Sequence, residues 1–324
     1  MKCLSCLARL VVYGSLTFAA MMTHAQTYPT KSVRMIVPYA PGGAPDTLAR
    51  IISVPLSEAF GQQFIVENRP SAGGIVAAET VAHSPADGHV ILISDIQQLA
   101  INPYLFTKLP YDPLKSFTPV NLAGMVPLYI VVNPSLNINN LQELVKLAKS
   151  KPGVLTYGSS GVGSIHHIAM EAFKASLDLN IVHVPYKGTG QSVPAMVAGE
   201  TSIAITGLPA VTAFVKAGKA KLVAITTLQR SPLTPEVGTV SELVPNFDFA
   251  SEMGFTVPAG TPTAIVDRLS AEVSKALKNP ASVERMNATG LVPIGTTPAG
   301  YAENIRQNLQ KFGKAVQLSG AKPE

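Results

Sequence analysis

The chain predicts an α/β fold of two lobes, each a sheet flanked by helices, and three observations predict it. Short β-branched runs alternate with helical patterns over residues 33–226, the pattern of parallel βα units. Two stretches, 116–133 and 247–255, read as extended with no long helix of their own, so the chain crosses twice between lobes. Two glycine-rich turns, one in each set of βα units, stand between a strand and a helix. The predicted division is a leader over 1–25, a first lobe from 26–125 with 251–324, and a second lobe over 126–250.

The leader comes first. Lys2 and Arg9 supply its positive start, and an apolar run over 10–22 follows, too short to span a bilayer. Thr23-His24-Ala25 ends on a small residue, as a cleavage site requires. The segment therefore reads as a removed export signal and the mature protein as periplasmic. Cys3 and Cys6 are the only 2 cysteines and both lie in it, so the mature chain carries no thiol and no disulfide. It relies on an ordinary hydrophobic core, which 47% hydrophobic and 14% charged residues supply. The net charge of +5 falls to +3 without Lys2 and Arg9, too mild and scattered for nucleic acid. Trp is absent, which is unusual for a sugar-stacking site.

In the first lobe Val33–Val37 is a strand and 46–60 a helix that Pro55 is expected to bend. A strand over 64–67 and a loop over 68–74 lead into a helix over Ile75–Ala82. Asp87-Gly88 turns the chain into a strand over 90–94. Within 116–133, Tyr129–Val132 is the strongest strand pattern. Asn140-Leu141-Gln142-Glu143 reads as a capping box for a helix ending at Ser150. Strands over 155–157, 181–185, 202–206 and 222–226 alternate with helices beginning near Ser164, Gly190 and Pro209. Ile265, Leu269, Val273 and Leu277 form one apolar helical stripe and Tyr301, Ile305, Leu309, Phe312 and Val316 another, both read as core. Lobe closure is expected to hinge near 123–131 and 246–254.

The turns are Tyr39-Ala40-Pro41-Gly42-Gly43-Ala44-Pro45-Asp46 and Tyr157-Gly158-Ser159-Ser160-Gly161-Val162-Gly163-Ser164. Glycine permits positive φ and close backbone approach, and a helix start leaves N–H groups unpaired at its positive end. Two such turns facing each other make an anion site built largely from main chain. Asp46 reads either as a helix-start residue or as a ligand contact. Gly158-Ser159-Ser160-Gly161 misses the spacing of a hydrolase elbow, and neither turn ends in Gly-Lys-Ser/Thr. His166 and His167 are adjacent on a helix and point about 100° apart, which precludes a shared metal. His167, one turn into the helix, is the only nearby candidate for a base. No catalytic set, metal site or cofactor is expected.

The ordered motifs resemble the Bug family, periplasmic solute receptors of tripartite tricarboxylate transporters. They are Pro29 with Val37-Pro38, and Pro41-Gly42-Gly43-x-x-Asp46-x-x-Ala49-Arg50. Glu67-Asn68-Arg69-Pro70 with Ala72-Gly73-Gly74 and Pro85-x-Asp87-Gly88 come next. Tyr157-Gly158-Ser159, Gly161-x-Gly163-Ser164-x-x-His167, Val184-Pro185-Tyr186-Lys187-Gly188 and Pro258-Ala259-Gly260-Thr261-Pro262 complete the set. The similarity spans essentially the whole mature chain. It implies a two-lobed periplasmic binding protein of the venus-flytrap kind, a monomer that takes a small organic carboxylate and delivers it to membrane permease subunits. It implies ligand contacts at Tyr39, Pro41, Gly42, Gly43, Ala44, Asp46, Ala72, Gly73, Gly74, Ser159, Gly161, Gly163, Ser164, His167, Tyr186 and Thr206. Ser159 and Ser164 are expected as hydroxyl donors. The chain departs from the family at Ser71, at Thr206-Gly207 and at Glu252, and the last two bear on ligand choice. A periplasmic enzyme on the same scaffold and a sensor feeding a signalling partner are the rival readings.

Overall fold

The computed structural model describes residues 28–322; the leader with Cys3 and Cys6 lies outside them. The first sheet has six strands in the order β11-β4-β10-β3-β1-β2. They are β1 (Val33–Val37), β2 (Phe64–Asn68), β3 (Val90–Asp95), β4 (Phe117–Pro127), β10 (Ala250–Pro258) and β11 (Val292–Pro293). The second has five, in the order β7-β6-β8-β5-β9: β5 (Tyr129–Val132), β6 (Thr156–Ser159), β7 (Val182–Pro185), β8 (Ile203–Thr206) and β9 (Lys221–Ile225). Helices α1 (Ala44–Phe60), α2 (Ile75–Ala82) and α3 (Asn102–Leu105) belong to the first set of units. The second set carries α4 (Leu141–Ser150), α5 (Ile165–Leu177), α6 (Thr189–Ala198) and α7 (Leu208–Lys216). The chain ends in α8 (Thr263–Lys278), α9 (Pro280–Ala288) and α10 (Pro298–Ser319).

Strand alternation distributes side chains between the cores on either face of each sheet. Val33, Met35 and Val37 enter one core of the first sheet and Ile36 the other. Tyr129 and Val131 enter one core of the second sheet, and Ile130 and Val132 the opposite one. Pro55 does not interrupt α1: the helix runs unbroken over 17 residues. Ile51, Ile52, Leu56 and Phe60 are all buried along it, and their packing offsets the missing N–H. The capping box at α4 forms with a shift. Asn140 Oδ1 accepts the Glu143 N–H at 2.9 Å, while the Glu143 carboxylate accepts the N–H of Asn139, not of Asn140.

Register places the two sheets edge to edge. β1 pairs in parallel with β2 and β3, and β6 with β7 and β8, so each set of loops following these strands lies on one edge. β10 runs antiparallel to β3 with Met253 opposite Asp95, and its start, Ala250, lies opposite Pro127 at the end of β4. The chain therefore leaves the first sheet on the edge where β3 ends. Immediately beyond, Tyr129 opens β5 opposite Thr206, the end of β8. The carboxyl edges of both sheets face each other across the crossing, the arrangement in which open α/β sheets bind ligands.

Thr226 clasps the two crossings. Its N–H donates to Leu128 O at 2.9 Å and its carbonyl accepts the Phe249 N–H at 2.8 Å. A third link is α10, whose 22 residues bridge the lobes. Its Tyr301 and Ile305 pack in the first lobe, and its Phe312, Ala315 and Val316 in the core of the second.

Candidate functional site

In the first lobe the glycine turn precedes α1, and Gly43 is the N-cap residue without a side-chain cap. Asp46, buried beneath the turn, holds it. Its carboxylate accepts the Gly42 N–H at 3.0 Å, Arg50 Nε at 2.9 Å and Asn68 Nδ2 at 2.9 Å. Burial disfavours the charge, but the hydrogen bonds from Arg50, Gly42 and Asn68 outweigh it and hold this carboxyl below its ordinary range. Asn68 Nδ2 also donates to Tyr39 O at 3.0 Å. Of the two readings of Asp46, the structure places its oxygens on the loop.

The Ala72-Gly73-Gly74 loop joins the same network. Gly73 O accepts from Asn102 Nδ2 at 2.8 Å and Gln98 Nε2 at 3.1 Å, and Gln98 Nε2 lies 3.1 Å from the Tyr39 hydroxyl. Tyr39 also senses Asp95: burial, and then the Asp95 charge, push the phenol well up. Burial raises Asp95 to about 6. At Gly74 φ is +69°, and a Cβ would fall 2.5 Å from Gln98 Nε2 and 2.6 Å from Pro38 Cβ, so only glycine fits. Gly43, by contrast, leaves room for a side chain: a Cβ there would meet its nearest atoms at ordinary contact distance, 3.8 Å. Pro41, Gly42 and Ala72 are exposed, and Gly43 and Ala44 half-buried. Among the described residues, the N–H groups of Gly43, Ala44 and Asp46 have no protein acceptor.

The second turn is built on different chemistry. Ser164 caps α5, accepting the His167 N–H at 3.2 Å and donating to Gly161 O at 2.7 Å. Gly163 N–H donates to His167 Nδ1 at 3.1 Å. The His167 ring is buried and stacks on His183 with centroids 4.1 Å apart; His183 stacks in turn on Tyr157 at 4.8 Å. Ser159 is fully buried, its Oγ 2.7 Å from His183 Nε2, and accepts the Gly161 N–H at 3.1 Å. Behind the rings, the Tyr157 hydroxyl donates to Glu171, which also holds Lys174 at 2.6 Å. Burial pushes His183 down to about 4 and lowers His167 as well, so both rings are neutral near pH 7.

Several placements differ from the expectations. The Ser159 and Ser164 hydroxyls engage the turn itself, because the positive-φ glycines between them bring Gly161 O and His183 within reach. His167 lies behind the turn, and its Nδ1 is taken by Gly163. Thr206 is fully buried at the end of β8, where its hydroxyl donates to Gly207 O at 3.3 Å. Tyr186 is half-buried, its N–H donating to Ser159 O at 3.2 Å and its ring 3.2 Å from the position of a Gly158 Cβ. Glu252 accepts from Asn304 and Asn308, both at 2.8 Å, and so serves the joint with α10. The open face of the second turn instead presents Val162, 43% exposed, with Ser160 and His166, whose Oγ and Nδ1 are 2.7 Å apart. Among the described residues the N–H groups of Ser160, Val162, Ile165 and His166 have no protein acceptor.

Sequence reasoning missed Gln98, Asn102 and His183, and weighed Ser160 and His166 without placing their side chains among the ligand contacts. Gln98 and Asn102 carried a signal: two amides four apart in the apolar stretch 96–105. His183 did too, as an imidazole inside a strand pattern. The lobes meet at this site. A Cβ on Gly163 would strike Leu105 Cδ1 at 2.6 Å, and one on Gly207 would strike Val126 Cγ1 at 2.5 Å. The surface also has a hollow of about 640 Å³ at the opposite edge of the second sheet, beside Asn140, Lys221 and Arg230. Arg230 is paired with Glu242 there at 2.8 Å, and Lys221 Nζ donates to Asn139 Oδ1.

Neither serine–imidazole pair of the second turn, Ser159–His183 or Ser160–His166, has a carboxylate hydrogen-bonded to its ring among the described residues. Ser159, besides, is fully buried and has no surface through which to reach a substrate. No group of three or more His, Cys, Asp or Glu among the described residues is placed to hold a metal ion.

The chain is similar to known proteins over most of its length. Residues 48–320 match the model of the tripartite tricarboxylate transporter family receptor. Protein BugT of Bordetella pertussis is 34% identical over 300 residues, 92% of each chain. The structure of R. palustris Rpa4515 with adipate superposes with a TM-score of 0.81 at 33% identity, covering 92% of this chain and 100% of that one. MatC from Rhodopseudomonas palustris with bound malate gives 0.76 at 29% identity, covering 89% and 100%.

Proposed function

The chain belongs to the tripartite tricarboxylate transporter receptor family, and from that premise we propose that it is a periplasmic receptor for a small organic carboxylate. In this reading the leader 1–25 exports it, and the lobes 26–125 with 251–324 and 126–250 close on the ligand as a monomer. It then delivers that ligand to the membrane permease subunits of such a transporter. The observation that supports the proposal is that the starts of α1 and α5 each leave main-chain N–H groups without a protein acceptor, at the carboxyl edges of their two sheets. Such donors recognise a carboxylate without a cationic side chain. The ligands in the names of the related structures, adipate and malate, are of this chemistry.

The test is a thermal-shift screen of mono-, di- and tricarboxylates, amino acids and aromatic acids, followed by calorimetry. A ligand at a hundred times its Kd adds about 2.7 kcal/mol to apparent stability. Gly43→Val is expected to remove binding while leaving the unliganded melting temperature in place, because a Cβ there meets its neighbours only at ordinary contact distance. Absence of any shift across the acids would overturn the receptor reading, and turnover of the bound acid would replace it with the enzyme. Scattering with and without the acid is expected to show compaction about the two crossings.

A further inference from the structure

Among the described residues two carboxyls are buried, Asp46 at 3% exposure and Asp95 at 6%. Asp46 has Arg50 beside it, whereas no cation lies within ion-pair distance of Asp95. Asp95 ends β3, which stands between β1 and β10 in the first sheet. Its Oδ1 accepts the Gln97 N–H at 2.8 Å, and its own N–H donates to Gln98 Oε1 at 3.0 Å. The other end of that amide reaches Gly73 O and the Tyr39 hydroxyl, both at 3.1 Å. Asp95 thus stands two hydrogen bonds behind the loops of the first lobe's glycine turn.

The groups that face it are neutral or negative. Burial, and in smaller part the Asp95 charge, push up the phenols of Tyr39, of Tyr111 and of Tyr301 on α10. On β10, Glu252 precedes the Met253 that lies opposite Asp95. Asp95 and Glu252 line one hollow of about 10 Å³ with Tyr301, Asn304 and Asn308. The turn over Gln97–Ile101 brings only amides and apolar side chains. Burial without a counter-charge raises the Asp95 carboxyl to about 6, while Asp46 is lowered by its partners.

We propose, resting on the receptor reading above, that Asp95 takes up a proton when an organic carboxylate binds, so that the protein captures the acid and a proton together. β1 and β3 are parallel neighbours, so the turn that follows β1 and the residue that ends β3 share one edge. With strands about 5 Å apart, an anion on the free N–H groups of Gly43 and Ala44 comes within about 10 Å of Asp95. Two like charges at that separation inside a protein disfavour each other by a factor on the order of ten. Asp46 keeps its charge beside such an anion, because Arg50, Gly42 and Asn68 hold it. Asp95 has no such partners and is the group that gives way. The scaffold survives the proton: the neutral carboxyl keeps an oxygen for the Gln97 N–H, and the bond to Gln98 is made by main chain. Asp95 is therefore a positioning residue whose charge, not its shape, opposes the ligand. Affinity rises as pH falls and levels off once the free protein is itself protonated.

The experiment is calorimetry of wild type, Asp95→Asn and Glu252→Gln with succinate, adipate, malate, citrate, glutamate and benzoate. Each titration is run at pH 6.5 in MES and in imidazole, whose ionisation heats differ, and repeated at pH 6 and pH 8. Melting of the unliganded variants checks that each folds. Wild type is expected to take up about half a proton at pH 6.5 and to bind about fivefold tighter at pH 6 than at pH 8. Asp95→Asn loses most of that uptake and binds more tightly than wild type at pH 8, which a merely structural residue would not do. Glu252→Gln keeps the uptake. Protonation of the free acid and of the second turn's imidazoles is common to all three proteins, so the difference belongs to Asp95. Infrared difference spectra with isotope-labelled acid need no variant: the carbonyl band of a newly protonated protein carboxyl appears on binding. Wild-type binding without proton uptake and with one affinity from pH 6 to pH 8 overturns the proposal. So does a folded Asp95→Asn that takes up as many protons as wild type or weakens equally at every pH. In these cases the receptor reading survives. Failure of wild type to bind any of the acids overturns both.

Discussion

In the first lobe Asp46 ties Gly42, Arg50 and Asn68 to one buried carboxylate, whereas in the second the glycine turn hangs on the neutral rings of His167 and His183. Both turns end in the same product, a row of main-chain donors at a helix start. They reach it through groups that both yield to acid, but over different ranges of pH. A carboxylate held by three donors resists acid further, because its folded-state pKa lies below the unfolded one. A stack of neutral imidazoles resists base and yields to acid. A row of main-chain donors thus needs no charge of its own, only a scaffold that keeps glycine carbonyls and amides turned the right way.

The comparison is broken most severely at Gly74. This residue lets the second loop of the first lobe approach Gln98, and through it Tyr39. Gly74→Val combines a left-handed backbone with overlap against Pro38 and Gln98. It is expected to cost about 3–5 kcal/mol in denaturant unfolding. Gly43→Val, outside this close packing, is expected to leave unfolding unchanged. Equal costs at the two glycines would show that the first turn does not depend on this close approach.

Asp46→Ala comes next. It leaves Asn68 and the Gly42 N–H without their acceptor, and frees a half-exposed Arg50. The expected loss is about 1.5–3 kcal/mol, the range for hydrogen bonds to a charged group. The fair counterpart in the other lobe is His183→Phe, which keeps the ring stack and loses only the contact with Ser159. It should cost about 1 kcal/mol, the ordinary value for one neutral hydrogen bond. Unfolding midpoints measured side by side separate the two, and an inverted order would refute the assignment of the stronger fastening to the carboxylate.

Acid sharpens the contrast. His166 and His183 have folded pKa values of about 4 and His167 is lowered too, against an unfolded value near 6.5. Between those values the unfolded state binds more protons, so the stability they contribute is present above about 6.5 and is lost as pH falls toward 4. Glu171 favours and Lys174 disfavours protonation of His167 and His183, without reversing the direction. Asp46 adds its share above the carboxylate range and loses it only below about 3.8. Asp95, raised to about 6, works the other way and gains as pH falls. Amide exchange at pH 5 relative to pH 7, corrected for intrinsic rates, is therefore expected to rise at Gly163 and not at Gly42. In His183→Phe the difference should shrink. Parallel behaviour of the two amides would remove the distinction.

The sequence carries the two turns plainly, because a glycine cluster between a strand pattern and a helix pattern is a local signal. It also carries the crossings, which show as strand patterns without helices. It does not carry the polar side chains that fasten each turn from a distance. Asn68 lies 22 positions from Asp46, and His183 lies 24 from Ser159. Such pairings follow from parallel register, which places Ser159 opposite Pro185 and Tyr157 opposite His183. The hydroxyls of Ser159 and Ser164 look free in the sequence because Gly161 O, their common partner, is brought to them by the turn itself. Residues 96–105 are read as no element because a π-helical turn over Gln97–Ile101 runs into a helix of 4 residues, too short to show a period.

The smallest expected effect concerns Ser164, and it asks whether the second turn has a fastening besides its rings. Ser164 Oγ is an N-cap acceptor for the His167 N–H and a donor to Gly161 O. Ser164→Ala removes both bonds at the surface end of α5, where water replaces them in part. The expected cost is about 1 kcal/mol of stability, the usual effect of losing such a cap. Affinity for a bound acid should fall only to the extent that Gly161 and Gly163 move. Ser164→Asp supplies a cap acceptor but no donor, and puts an anion beside the row of free N–H groups. It should restore stability by favouring the helix start while abolishing binding through like charge. A Ser164→Asp protein that binds a carboxylate as well as wild type does would place the anion site elsewhere than between the starts of α1 and α5.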